Sequence, residues 1–149
     1  MKKLFISGLF ALALISSAFA STTDLNNFKA KQHFSGSFSD VTTVSWKTVG
    51  NLEKATFTLN NEEVHAFYNA YGELQGTSKV MAFDKLPKSA LATLTTKYTF
   101  PAYQLKECIE FTSADNEKNY YVSFDTQREQ IMLEITTGGS VSVLSKVSK

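Results

Sequence analysis

Residues 71–80 read YGELQGTSKV and residues 139–147 read GSVSVLSKV. Both leave a glycine turn, enter a strand and close on Ser-Lys-Val, so the chain ends one unit of structure and then ends another the same way. Moving back from Val80, the side chains alternate with period two, which is the mark of a strand with one buried face. Val64, Ala66 and Tyr68 oppose His65 and Phe67; Ala55, Phe57 and Leu59 share a side; Val44, Trp46 and Thr48 share another. Gly50-Asn51, Asn60-Asn61 and Asn69-Ala70-Tyr71-Gly72 separate these runs. Short polar turns between sequential strands predict an antiparallel meander of four.

The same order follows downstream. AYQLKECIEF, NYYVSF, QIMLEI and SVSVLSKV alternate or nearly so, with Asp115-Asn116-Glu117, Asp125-Thr126-Gln127 and Gly138-Gly139 between them. A shift of 65 residues lays Ala55, Phe57 and Leu59 on Tyr120, Val122 and Phe124. A shift of 67 lays Val64, Ala66 and Tyr68 on Ile131, Leu133 and Ile135, and Gly72 on Gly139. Both copies give one inward set.

A helical segment precedes each meander. In TTDLNNFKAKQHF, Thr23 or Asp24 can cap a helix that places Leu25 and Phe28 on one face and stops near Ser35-Gly36-Ser37. In FDKLPKSALATLTTKY, Pro87 suits a first turn because its missing N–H has no partner there; Leu91, Leu94 and Tyr98, with Ala90, form a core-facing stripe that Pro101 ends. The expectation is an α+β, two-layer fold of two repeats, about 24–82 and 84–147, with the helices on one face of the sheet. A four-stranded sheet with one covering helix is small to be stable alone, and two such halves can share a core.

The ends and the composition narrow the functional classes. MKKLFISGLFALALISSAFA has two lysines, an apolar run from Leu4 to about Ile15 and the small-x-small end Ala18-Phe19-Ala20, the pattern of a cleaved secretory signal. The run is shorter than the roughly 20 residues of a membrane span. Cleavage after Ala20 leaves residues 21–149 as one domain beginning at Ser21, with no cysteine there to carry a lipid. The expected location is periplasmic or secreted, with no transmembrane segment remaining. Loss of Lys2 and Lys3 leaves 13 basic against 14 acidic residues. Such a balance, with scattered lysines, argues against nucleic acid as a partner. Cys108 is the one cysteine, so no internal disulfide can form. In KECIEF it reads as a small buried apolar residue; an intermolecular bridge or a nucleophile are the sharper alternatives.

The pattern resembles a known family at this point. A helix followed by Phe38, Val41, Val44 and Trp46 in F-x-x-V-x-x-V-x-W, an A-x-F-x-L strand, a Tyr-Gly-Glu turn, and Leu86-Pro87 opening a second helix are similar to the PepSY-like, beta-lactamase-inhibitor-like (BLIP-like) exported proteins common in Bacteroidota. The resemblance spans nearly all of residues 21–149. It implies a duplicated two-layer α/β fold like that of the beta-lactamase inhibitory protein, which grips its enzyme with a concave, aromatic-rich sheet face. That inhibitor's repeats carry disulfides and this chain cannot, so the resemblance carries the scaffold and not the target.

Motifs for catalysis are missing: the chain has no G-x-S-x-G, H-E-x-x-H or C-x-x-C and no phosphate-cradling glycine loop. His33 reads as a helix-end residue meeting free carbonyls. His65 shares a strand side with Glu63 but has no second His, Cys or clustered Asp to complete a metal site. Neither a cofactor nor a metal is expected, and the chain is read as non-enzymatic. The surplus is aromatic, with 16 Phe, Tyr and Trp residues after position 20. If the helices cover the inward set, then His65, Phe67, Tyr121 and Met132 lie on an open face, together with Trp46. Rigid rings there would anchor a protein partner of the envelope or secreted fraction. The alternative is a small-ligand carrier with a cleft between the two repeats.

Overall fold

The computed structural model describes residues 28–149. Helix α1 covers Phe28–Ser37 and α2 covers Lys88–Lys97, with a 3-10 turn at Phe83–Lys85 before the latter. The strands are β1 Val44–Val49, β2 Leu52–Leu59, β3 Glu62–Tyr68, β4 Leu74–Val80, β5 Gln104–Ser113, β6 Lys118–Asp125, β7 Glu129–Thr136 and β8 Val141–Ser148. They lie in chain order in one eight-stranded antiparallel sheet. The chain divides into two compact units. Described residues up to Lys79, with Thr112–Asn116, form the N-terminal unit; Val80–Phe111 and Glu117–Lys149 form the C-terminal unit.

In the N-terminal unit, Phe57 on β2 faces Val64 on β3, and Ala55 faces both Trp46 on β1 and Ala66 on β3. These rows meet Ala30 and Phe34 of α1 in one cluster with Tyr68. Phe34 is edge-on to Phe57 at 5.0 Å and to Trp46 at 5.6 Å, the arrangement that brings a ring's positive edge to a negative face. The turns follow from their asparagines. Asn60 and Asn61 have φ of 52° and 64°, so the β2–β3 hairpin needs two residues that tolerate the left-handed region.

In the C-terminal unit, Ala90 and Leu94 of α2 pack on Cys108 and on Val122, Phe124, Ile131, Leu133 and Ile135, the last five belonging to the inward set expected for β6 and β7. Pro87 stands one residue before the helix, extended at ψ 138°, and so fixes the approach rather than occupying the first turn.

Gly72 and Gly139 have φ of +79° and +83°, a region that costs other residues strain. A Cβ on Gly72 would lie 2.8 Å from Ala30 N, and one on Gly139 would meet the Ser89 side chain. Each turn thus seats its bare backbone against the first turn of its unit's helix. In the C-terminal unit Ser89 Oγ adds a hydrogen bond to Gly138 O at 3.2 Å.

The leader at 1–20, the cap at Thr23 or Asp24 and the apolar Leu25 lie outside the described residues. Phe28, expected to share one face with Leu25, is 72% exposed, and Ala30 and Phe34 hold the inward positions. A helix beginning at Phe28 places 30 and 34 one turn apart on the same side. His33 does not serve the helix-end carbonyls; its Nδ1 lies 3.3 Å from Tyr68 Oη and 3.4 Å from Ser37 Oγ.

Candidate functional site

The five side chains expected on an open face do not form one. Trp46 belongs to the helix side, half-buried between Phe34 and Tyr68. It sits there because Ala55, its partner across β1–β2, is on the helix-facing row. Phe67, Tyr121 and Met132 do point away from the helices, yet they are 1%, 3% and 3% exposed. The expected openness is therefore corrected: both faces of these strands are buried.

Local packing supplies part of the reason. In the N-terminal unit Phe67 stands in register with Gly76 and Lys54 and edge-on to His65 at 6.4 Å. In the C-terminal unit Tyr121 meets Phe111 at 6.3 Å, and its hydroxyl donates to Glu134 Oε1 at 3.1 Å. Burial first, and the Glu134 carboxylate second, raise the Tyr121 phenol above its ordinary value. Met132 stands across from Ser123 and Ser145. Four consecutive residues of β6, Tyr121 to Phe124, are buried, as are Ile131 to Leu133 of β7. A strand covered on both faces reads as a continuous apolar run rather than an alternation, and Ile131-Met132-Leu133 was the sequence signal for it.

His65 keeps partial exposure. Its Nδ1 shares a hydrogen bond with Thr56 Oγ1 at 3.1 Å and its Nε2 lies 3.5 Å from Glu63 Oε1. Burial, then the charge of Lys54, lower its pKa below the ordinary 6.5, while Glu63 acts the other way. Across β3–β4 it faces Ser78. The Ser78 hydroxyl is buried without a hydrogen-bond partner. The Cys108 thiol is buried and pushed up to about 12, by burial first and Glu107 second, so at neutral pH it is a protonated core residue and a poor nucleophile. Among the described residues no three His, Cys, Asp or Glu side chains gather where they could hold a metal ion, and no helix is long and apolar enough to cross a membrane.

What the N-terminal unit does expose is a pair of rings beside the Gly72 contact. Tyr71 precedes Gly72 and is 75% exposed; Phe28 precedes Lys29, whose backbone Gly72 touches, and is 72% exposed. The turn holding Tyr71 is tightly bonded. Asn69 Oδ1 accepts from Tyr71 N at 2.9 Å and Glu73 N at 3.0 Å, and Asn69 Nδ2 donates to Glu73 Oε2 at 2.8 Å. Gly72 N donates to Asn69 O at 3.0 Å and Asn69 N to Glu73 O at 3.0 Å. Such an Asx-type network orders the backbone before any partner arrives. The sequence signal was an aromatic inside an Asn-x-x-Gly turn, outside either alternating set.

No family model matches the chain, and no curated protein matches it. Solved structures do. A protein named as a periplasmic candidate from Bacteroides eggerthii DSM 20697 superposes with a TM-score of 0.65 at 10% identity, over 80% of this chain and 86% of that one. A DUF2874 family protein from Bacteroides uniformis ATCC 8492 gives 0.66 at 9% identity, over 80% and 87%. A BLIP-like protein from Bacteroides fragilis NCTC 9343 gives 0.61 at 12% identity, over 81% and 84%. At such identities the likeness is one of fold: this chain has a BLIP-like fold.

Proposed function

We propose that the chain is an exported, non-enzymatic binding module of the cell envelope, inhibitor-like in that it works by capturing a protein. The observation that carries this reading is the ordered turn that presents Tyr71 to solvent, where Gly72 meets the start of α1, whose Phe28 is also exposed. A large ring held on a rigid backbone gains contact area on binding while losing little conformational freedom, which is why aromatics dominate binding hot spots. The leader-like sequence of residues 1–20 and a similar fold in a periplasmic candidate support export. The BLIP-like fold supports a binding role over a catalytic one, as does the absence of a converging catalytic group in the sequence motifs.

The PepSY-like kinship and the duplication belong to the same proposal. Gly72 and Gly139, 67 residues apart, each release a turn onto the start of a helix, as two descendants of one unit would. The contact surface is placed at Phe28 and Tyr71 and not at Phe67, Tyr121 and Met132, whose burial leaves them no area to offer.

The test is capture. Protein isolated after export is fixed to beads, exposed to native envelope and secreted fractions, and compared by mass spectrometry with the Phe28→Ser, Tyr71→Ser double variant. A protein retained by the parent and lost by the variant, at unchanged melting temperature, is the expected result. Identical capture by both would remove Phe28 and Tyr71 as the surface, and no specific capture by either would remove the protein-binding reading.

A further inference from the structure

The C-terminal unit holds a cleft of about 540 Å³ between the end of α2, the chain that follows it and β6. That volume is in the range of small-molecule sites. Its floor is Phe124, on which Tyr98 stacks with an interplanar angle of 10° at 5.4 Å. Tyr103 stands edge-on to both rings, at 5.1 Å from Tyr98 and 6.4 Å from Phe124. Two backbone bonds hold these rings in place, Tyr98 N to Leu94 O at 2.9 Å and Tyr103 N to Thr99 O at 3.0 Å. At the mouth Phe100 is 79% exposed and Leu105 47%.

We infer that this cleft is a binding site for an uncharged, aromatic small molecule with one or two hydrogen-bonding atoms. Among the described residues no charged side chain lines it. An ionic ligand would therefore lose its hydration without a counter-charge, a cost that a neutral one does not meet. The polar groups at the walls are neutral: the Tyr98 and Tyr103 hydroxyls, the Gln104 amide and the Thr95 hydroxyl, the last already donating to Leu91 O. A flat ring can stack on, or stand edge-on to, the fixed rings of the floor, with Phe100 and Leu105 closing over its exposed edge. A sugar would call for a denser set of polar partners than these neutral groups supply.

The neutral dye N-phenylnaphthylamine and its anionic relative anilinonaphthalene sulfonate separate the two features of the inference, ring and charge. On the exported protein, the neutral dye is expected to bind saturably at one site, and the sulfonate about tenfold more weakly. Phe100→Ser with Leu105→Ser changes exposed residues and is expected to weaken the neutral dye about tenfold at unchanged melting temperature. Thr95→Trp adds apolar surface yet fills the cleft from the helix side, so it is expected to abolish the site. Non-saturable binding, equal affinity for the two dyes, or binding that survives both variants would overturn the inference.

Discussion

His65 binds a proton less readily in the fold than an ordinary histidine does. Its pKa is lowered from 6.5 mainly by burial and secondly by Lys54, against the opposing pull of Glu63. Below about pH 6.5 the unfolded chain then binds more protons at this residue than the native one, so its contribution is fully present above that pH and is lost as pH falls through the lowered native value. Unfolding midpoints taken at about pH 7.5 and about pH 5.5 should therefore fall more steeply for the parent than for His65→Gln. Equal slopes would mean the imidazole is as well solvated folded as unfolded. Phe67 tests burial more directly. At 1% exposure, Phe67→Ala should cost about 3–5 kcal/mol in urea unfolding; a cost near zero is what an open face would give.

At the scale of elements, each turn is defined by what it rests on. Gly50 and Gly72 both have positive φ, but a Cβ on Gly50 has nothing within 4 Å whereas one on Gly72 meets the backbone of Lys29 and Ala30. Gly50→Ala should cost about 1–2 kcal/mol for the left-handed conformation alone. Gly72→Ala should cost a further ~1–3 kcal/mol for the forced separation of turn and helix. Equal values from chemical denaturation would show that the turn is not seated on α1. All eight strands and both helices were legible because periodicity and turn residues are local. Gly50-Asn51 and Asn60-Asn61 named their hairpins, and Leu94 with Ala90 named the buried side of α2. The seating of Gly72 on Ala30 was not legible, since the two are far apart in the chain and nothing in either neighbourhood refers to the other.

For the molecule as a whole, Cys108 offers a probe of stability. It is 4% exposed within the C-terminal core cluster, and its thiol is pushed up to about 12. Ellman's reagent at about pH 8 should leave the native protein unmodified and should titrate one thiol once the chain is unfolded in guanidinium. Rapid native labelling would show that the cluster around Leu94 and Val122 opens locally. The amino-acid sequence by itself determined the α+β class, the order of elements, the inward rows of β2, β3, β6 and β7 and the lack of a catalytic motif, because each is written in residue types a few positions apart. Only the tertiary structure decided that Phe67, Tyr121 and Met132 are buried, that Trp46 faces α1, and that Phe28, Tyr71 and Phe100 are the exposed rings. An alternating strand states that its two sides differ; how far each is covered depends on neighbours distant in the chain, and exposure is a property of that packing.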